Sequence, residues 1–483
     1  MNWRYILSVV GILILFLGLA MIFPLFWGLY YGDQSVIPLL KSMGITIISG
    51  FIFFISFRRS KVELIRKREG MAIVAIGWTA AGLFGALPFY LSGGEFGSFV
   101  NAFFESVSGF TTTGSSILTD IEAVSRGLLF WRSLIQWLGG MGIIVLSVAI
   151  LPFLGVGGMQ LYKAEVPSPV PDKLKPRIRD TAMILWKVYA LISLAELILL
   201  MVGGMSFFDS LCHTFTTMPT GGFSPKSASI AHYDSVYFDT IFIFFMLLAG
   251  LNFSLHYQFL KGNTLAFWRD PECRVFIGTV LVLMLVVTFN TYGQVYEKIG
   301  SAFRYSSFQV MSIITTTGYA TADYGQWPAM SQFILLLCMF FGASAGSTGG
   351  GMKCLRIMLC FKHCYKELFS LIHPRGVMQI KIGGKPVSDD VMRSVLGFLA
   401  LYIGLFAFST VVLSGMGVDL MTSIGAVAAT LGNIGPGLGL VGPVNNYAHM
   451  PYLGKWLLSW CMLLGRLEIF TVIILIVPEF WRK

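Results

Sequence analysis

A helix that crosses the roughly 30 Å hydrocarbon core of a bilayer needs about 20 apolar residues. This chain holds ten stretches of that kind, near 5–31, 35–57, 71–92, 128–154, 182–205, 236–260, 273–292, 330–361, 394–417 and 455–478. Only 12% of its 483 residues are charged, against about 25% in soluble domains. The chain therefore reads as an all-α polytopic membrane protein. The first stretch carries a lone Arg4 and no small-residue cleavage site, so it reads as a retained span, not a removed signal peptide.

The net charge of +10 raises the question of a nucleic-acid partner, and its placement answers it. Bases cluster in alternate loops: Arg58, Arg59, Lys61, Arg66, Lys67 and Arg68, then Lys163, Lys173, Lys175, Arg177 and Arg179, then Lys362, Lys366, Arg375, Lys381, Lys385 and Arg393, and finally Arg482 and Lys483. The positive-inside rule puts these loops and both termini in the cytoplasm. The excess charge is topology, and no nucleic-acid partner is expected.

Between the apolar stretches a polar pattern repeats. FESVSGFTTTG at Phe104–Gly114 and FQVMSIITTTG at Phe308–Gly318 align without a gap. Two weaker relatives, DSLCHTFTTMPTGG at Asp209–Gly222 and TSIGAVAATLGNIG at Thr422–Gly435, complete a set of four. Each closing glycine follows a plausible helix start at Asn101, Asp209, Tyr305 or Thr422. A segment of about 12 helical residues is roughly 18 Å long and reaches only halfway through the hydrocarbon. The polar stretch after it then sits at mid-depth, where irregular backbone survives only if buried in protein or lining a water-filled cavity. One such turn could be a helix cap. Four suggest a common axis, with half-helix C-terminal dipoles pointing inward and carbonyls replacing water around a cation. The candidate ligands are Thr111, Thr112, Thr113 and Gly114; Thr220, Gly221 and Gly222; Thr315, Thr316, Thr317 and Gly318; and Asn433, Ile434 and Gly435. Threonine hydroxyls would either add oxygens or brace the loops from behind. No carboxylate, the ligand a hard divalent ion favours, occurs among these residues.

With QWLGGMGIIVLSVAILPFLGVGGMQLY (Gln136–Tyr162), GASAGSTGGG (Gly342–Gly351), LGNIGPGLG (Leu431–Gly439) and LLGRLEIF (Leu463–Phe470), the chain resembles the Trk/Ktr/HKT superfamily of potassium transporters over essentially its whole length. Its two extra spans before Gly70 resemble the bacterial TrkH/TrkG branch. The resemblance implies four tandem span–pore-loop–span repeats around one pore, at 71–181, 182–271, 272–390 and 391–483, behind a two-helix extension at 1–70. It implies potassium uptake across the bacterial inner membrane. Glycine at all four filter positions implies a preference for potassium, and serine at the first would imply sodium permeation. It further implies a homodimer paired with a cytosolic TrkA-type ring that binds NAD or ATP. The chain has no G-x-G-x-x-G fingerprint after a strand and no Walker A match, so no organic cofactor is expected on it.

Two features inside the membrane remain. The eighth stretch is broken by glycines, and Gly342, Gly346, Ser347, Thr348, Gly349, Gly350 and Gly351 read as a flexible loop that gates the pore. Close helix packing through Gly342-x-x-x-Gly346 is the other reading. Arg466 lies midway through the tenth stretch, where a charge is costly and marks function or a buried partner. It is either an electrostatic barrier on the pore axis or a brace, with Glu468, two residues on, seeking another repeat. The role of Glu196 in the fifth stretch stays open between an ion-linked site and an interhelical bond. In VMQIKIGGKPV at Val377–Val387, alternating residues around Gly383-Gly384 suggest a small cytoplasmic hairpin.

A secondary transporter for an organic solute would carry charged groups matched to its solute at mid-depth, and these loops offer none. An enzyme would need a cluster such as H-E-x-x-H, which the six histidines do not form. Whether such a pore works as a gated channel or as a proton- or sodium-coupled carrier is not set by the sequence.

Overall fold

The structure, a computed structural model, describes residues 1–57, 67–149, 178–376 and 378–481. Of the basic loops expected in the cytoplasm, residues 58–66, 163–177 and 482–483 lie outside these, as does the end of the Gln136–Tyr162 motif. Among the described residues six helices are long and apolar enough to cross a membrane: Trp3–Tyr31, Val36–Phe57, Arg68–Ser92, Ala182–Val202, Pro271–Thr291 and Asp389–Gly415. The fourth expected span is the helix Arg126–Ala149, which runs to the edge of the described residues.

The three other expected spans are broken, each for a visible reason. In the sixth, helix Val236–Gly250 meets helix Phe253–Leu260 at 101°. Asn252 caps the second helix by accepting from Ser254 N at 2.8 Å, and the carbonyls freed at Ala249 and Gly250 accept from Thr348 N and Ser344 N. In the eighth, helices Ala329–Phe340 and Cys354–Ile372 flank the expected glycine loop. In the tenth, helix Tyr452–Arg466 ends where Glu468 takes a left-handed φ of 56°, and only two short turns of helix, Phe470–Ile473 and Pro478–Trp481, follow. A single bilayer-length helix was the expectation for the sixth and tenth stretches, and neither has one.

The N-terminal pair packs backbone to backbone. A side chain at Gly11 would meet Phe54 N at 2.8 Å, and one at Gly50 would meet Leu15 N at 2.7 Å, the close approach small residues permit between membrane helices. Trp3 stacks on Trp481 with centroids 5.3 Å apart, tying this pair to the end of the chain. Large apolar side chains stay exposed along the long helices, among them Phe16, Phe23, Phe51, Leu281, Phe289 and Val411. That is a surface suited to lipid and far too apolar for water.

Four short helices lie among the long ones: Phe99–Phe110, Phe207–Thr217, Ile299–Ile314 and Leu420–Leu431. Ser98, Ser206 and Asp419 cap the first, second and fourth through side-chain oxygens, the residue types that best satisfy free N–H groups at a helix start. The third starts at Ile299, a turn and a half ahead of the expected Tyr305. Its added residues are held by Arg304, which pairs with Asp239 at 2.6 Å and Asp234 at 3.0 Å. Gly383 and Gly384, with φ of 54° and 81°, turn the expected hairpin between strands Lys381–Ile382 and Lys385–Pro386; Val377, at its expected start, lies outside the described residues.

Candidate functional site

Each short helix ends in the same backbone sequence. A left-handed residue comes first: Thr112 (φ 51°), Thr220 (57°), Thr316 (60°) or Asn433 (55°). Two residues on comes a left-handed glycine: Gly114 (83°), Gly222 (71°), Gly318 (83°) or Gly435 (102°). A β-branched threonine with positive φ is rare and costly. Three threonines in register, with asparagine at the fourth place, show that the four loops share one conformation.

The loops also touch in cyclic order. A side chain added at Gly114 would strike the carbonyl of Gly221, one at Gly222 that of Thr317, and one at Gly318 that of Ile434. One at Gly435 would lie 2.7 Å from the Thr113 carbonyl, which closes the ring. Glycine is required here twice over, by φ and by the neighbouring loop. The loops are buried apart from the half-buried Gly114, Gly222 and Gly318, yet among the described residues the carbonyls of Thr112, Thr113, Thr220, Thr316, Thr317, Asn433 and Ile434 accept no hydrogen bond. Buried carbonyls are nearly always paired, so this cluster of bare oxygens at the C-terminal ends of four helices is an electronegative site suited to a cation.

Side chains brace the ring from behind. Thr111 Oγ1 donates to Val107 O at 2.7 Å and lies 2.8 Å from Thr113 Oγ1. Thr315 and Thr317 repeat that pair at 2.9 Å, with Thr315 Oγ1 donating to Met311 O. The hydroxyls of Thr111, Thr113, Thr315 and Thr317 are thus engaged with one another and with helix ends, so these residues offer the ring backbone oxygen, while Thr112 Oγ1 is buried with no partner among the described residues. Gln136 Nε2 donates to Gly221 O at 2.7 Å while its Oε1 accepts from Phe223 N. Tyr447 and Ser115 donate to Gly435 O, and Asn433 Nδ2 bridges Thr113 Oγ1 and Met462 O at 2.9 Å each. Just beyond the first two loops, the buried Arg132 donates to Glu105 at 2.8 Å and also to Ser116 Oγ and Ser224 O. Sequence reading passed over Gln136, Tyr447 and Arg132; intramembrane polarity was the available signal for Arg132 and Gln136. Gln136→Leu should cost about 1–3 kcal/mol by stranding buried polar groups, measured as a lower unfolding temperature in detergent.

The glycine loop 342–351 lies against the C-terminal ends of three short helices. Thr348 Oγ1 donates to Met218 O at 2.9 Å, and Gly350 N donates to Thr316 Oγ1 at 2.7 Å. A side chain at Gly350 would come within 2.6 Å of Gly432 O, and one at Gly349 within 3.1 Å of Thr315 O. Gly342 N pairs with Met352 O at the loop's base, and Gly346 O accepts from Phe253 N across the kink of the sixth span. Ser347 folds back on Ser344 O, and Gly351 (φ 64°) closes the turn.

Arg466 is buried and donates through Nη1 to Thr348 O at 2.6 Å, while its Nε and Nη2 have no partner among the described residues. It is therefore bound to the loop and does not pair with Glu468, which reaches Arg356 on the helix after the loop. Glu196 is fully buried beside Thr217, and neither carboxylate oxygen finds a hydrogen-bond donor among the described residues.

A family model described as TrkH, cation transport protein, matches residues 43–483 of this chain. The chain is similar to the Trk system potassium uptake protein TrkH of Escherichia coli strain K12, with 42% identity and 100% of both chains covered. To the TrkH of Halomonas elongata it is 41% identical over 100% of each, and to the TrkG of Escherichia coli K12 it is 36% identical over 99% of each. The crystal structure of the potassium transporter TrkH from Vibrio parahaemolyticus superposes with a TM-score of 0.91 at 38% identity, covering 100% of both chains.

Proposed function

The chain belongs to the TrkH family of cation transport proteins, and from that premise we propose that it takes up potassium through the ring formed by Thr111–Gly114, Thr220–Gly222, Thr315–Gly318 and Asn433–Gly435. It is a multi-pass membrane transporter and not an enzyme. The observation that carries the reading is the cyclic contact of four left-handed glycines with neighbouring carbonyls, around buried oxygens that lack protein donors. Potassium sheds its hydration more readily than sodium, and a ring of neutral carbonyls can replace that shell. The names of the relatives, all potassium uptake proteins, support the choice of ion. Purified protein in liposomes should take up rubidium down a potassium-type gradient and discriminate against sodium. Uptake without such discrimination would remove the filter assignment. Rubidium flux that follows its own gradient at every imposed proton gradient marks a channel, and accumulation driven by inward proton flow marks coupling.

Loop 342–351 gates this pore, and Arg466 acts with it. A guanidinium held beneath a cation filter and bound to the loop raises the barrier to a passing ion. Removing it frees both the barrier and the loop. Arg466→Ala should therefore raise rubidium flux severalfold; loss of folded protein with no gain in flux assigns the residue as a brace instead.

The pore units span 71–181, 182–271, 272–390 and 391–483 behind the extension at 1–70. The chain sits in the bacterial inner membrane with both termini in the cytoplasm. It works as a homodimer, a reading supported by the exposed apolar side chains Phe361, Tyr365, Leu368, Leu371 and Ile372 on one helix. Because the sequence carries no nucleotide-binding fingerprint after a strand and no Walker A match, control by NAD or ATP reaches it through a cytosolic TrkA-type ring.

A further inference from the structure

The helix that follows the gate loop, Cys354–Ile372, starts without a cap of its own. Its N-cap residue is Lys353, whose side chain makes no capping bond and whose ammonium donates instead to Gly349 O within the loop. A helix start in a buried setting leaves N–H groups that need an acceptor, and a negative charge satisfies them best. That acceptor comes from another helix. Glu272, the second residue of Pro271–Thr291, is 1% exposed, and its Oε1 accepts from Leu355 N at 3.0 Å. The same oxygen accepts from Ala345 N at 2.8 Å. One carboxylate oxygen thus ties the ascending limb of the loop to the first turn of the helix beyond it, and anchors both to a span that carries no part of the loop.

We propose that Glu272 is the positioning residue that latches the gate loop in its closed place, acting as a borrowed helix cap; this rests on the gate reading above. Ala345 and Leu355 flank Ser347–Gly351, the segment that touches Met218, Thr316 and Gly432. The loop cannot leave those contacts as a body while both bonds to Glu272 hold. Opening breaks the bond to Ala345, while the bond to Leu355 keeps the following helix in place, so the carboxylate sets the balance between the two positions without touching the ion.

The test compares rubidium and sodium flux in liposomes for the full-length protein and for Glu272→Leu, Glu272→Gln and Gly350→Ala. Losing two bonds to a charged acceptor should shift the closed-to-open balance about tenfold or more in Glu272→Leu. Glu272→Gln keeps an acceptor without the charge and should fall between it and wild type. Rubidium over sodium preference should stay at the wild-type ratio in both, a combination that mere structural damage does not produce. Where the leucine variant fails to elute as folded protein, the glutamine variant decides: raised flux at unchanged preference supports the latch, and wild-type flux overturns it. If Gly350→Ala raises flux and folded Glu272 variants do not, the latch is wrong and the gate stands. If none of the three changes flux, the gate reading fails and takes the latch with it.

Discussion

Gly114→Ser should collapse the preference for potassium over sodium by at least about tenfold, a change of about 1.4 kcal/mol in relative barrier height. Two separate costs meet at this residue. Its φ of 83° is a conformation that costs a non-glycine residue about 1–2 kcal/mol. The new Cβ would also overlap the Gly221 carbonyl oxygen, which Gln136 holds from behind. The first two loops must separate, and one carbonyl of the ring leaves the distance at which it can replace potassium's water. Sodium, smaller and more strongly hydrated, loses less when one ligand withdraws. The measurement is the ratio of rubidium to sodium flux in liposomes, with Gly318→Ala as a companion because its Cβ would overlap Ile434 O. A wild-type ratio in both variants would show that the ring does not select the ion.

Gly350→Ala should raise flux about tenfold and leave that ratio where it was. Gly350 has an ordinary φ, so alanine adds no backbone strain. The added methyl instead meets Gly432 O at 2.6 Å and Asn433 Cβ at 2.8 Å. The overlap exists only while the loop lies against the fourth short helix, so the substitution penalises the closed position alone, and overpacking of this kind typically costs about 1–3 kcal/mol. Removing residues 346–350 should do the same more severely. Unchanged flux in the folded alanine variant would count against the loop as a gate, and an altered ion ratio would mean that loop and ring are not separable.

The parts of this design that were legible in sequence are those carried by local pattern. TTTG at Thr111–Gly114 and Thr315–Gly318 marked two loops directly, and weaker likeness together with spacing found Thr220–Gly222 and Asn433–Gly435. What those loops share is a φ pattern, a left-handed residue and a left-handed glycine two positions on, and Asn433 meets it because asparagine tolerates that region as few residues do. The glycine run at 342–351 announced a break in a span. The braces were not legible. Gln136 meets Gly221 from 85 residues away, and Asn433 meets Thr113 across 320; no periodicity or spacing links such pairs. The kink after Gly250 was hidden for another reason. An apolar run reads as a continuous helix, and the Ala249 and Gly250 carbonyls are released only because Ser344 and Thr348 arrive from elsewhere to bond them. Glu272 was not legible because its partners lie 73 and 83 residues on.

The ring is drawn from one polypeptide, and its corners are spelled TTG, TGG, TTG and NIG. In an assembly of four identical subunits, a single codon change alters all four corners together, and mixed expression yields every intermediate stoichiometry. Here one codon alters one corner. A cell carrying a mutant and a normal copy of the gene therefore makes two kinds of pore and no hybrids, even when the chains pair. Each corner can also drift separately under selection, so a filter of the kind proposed would let ion preference be tuned in quarter steps.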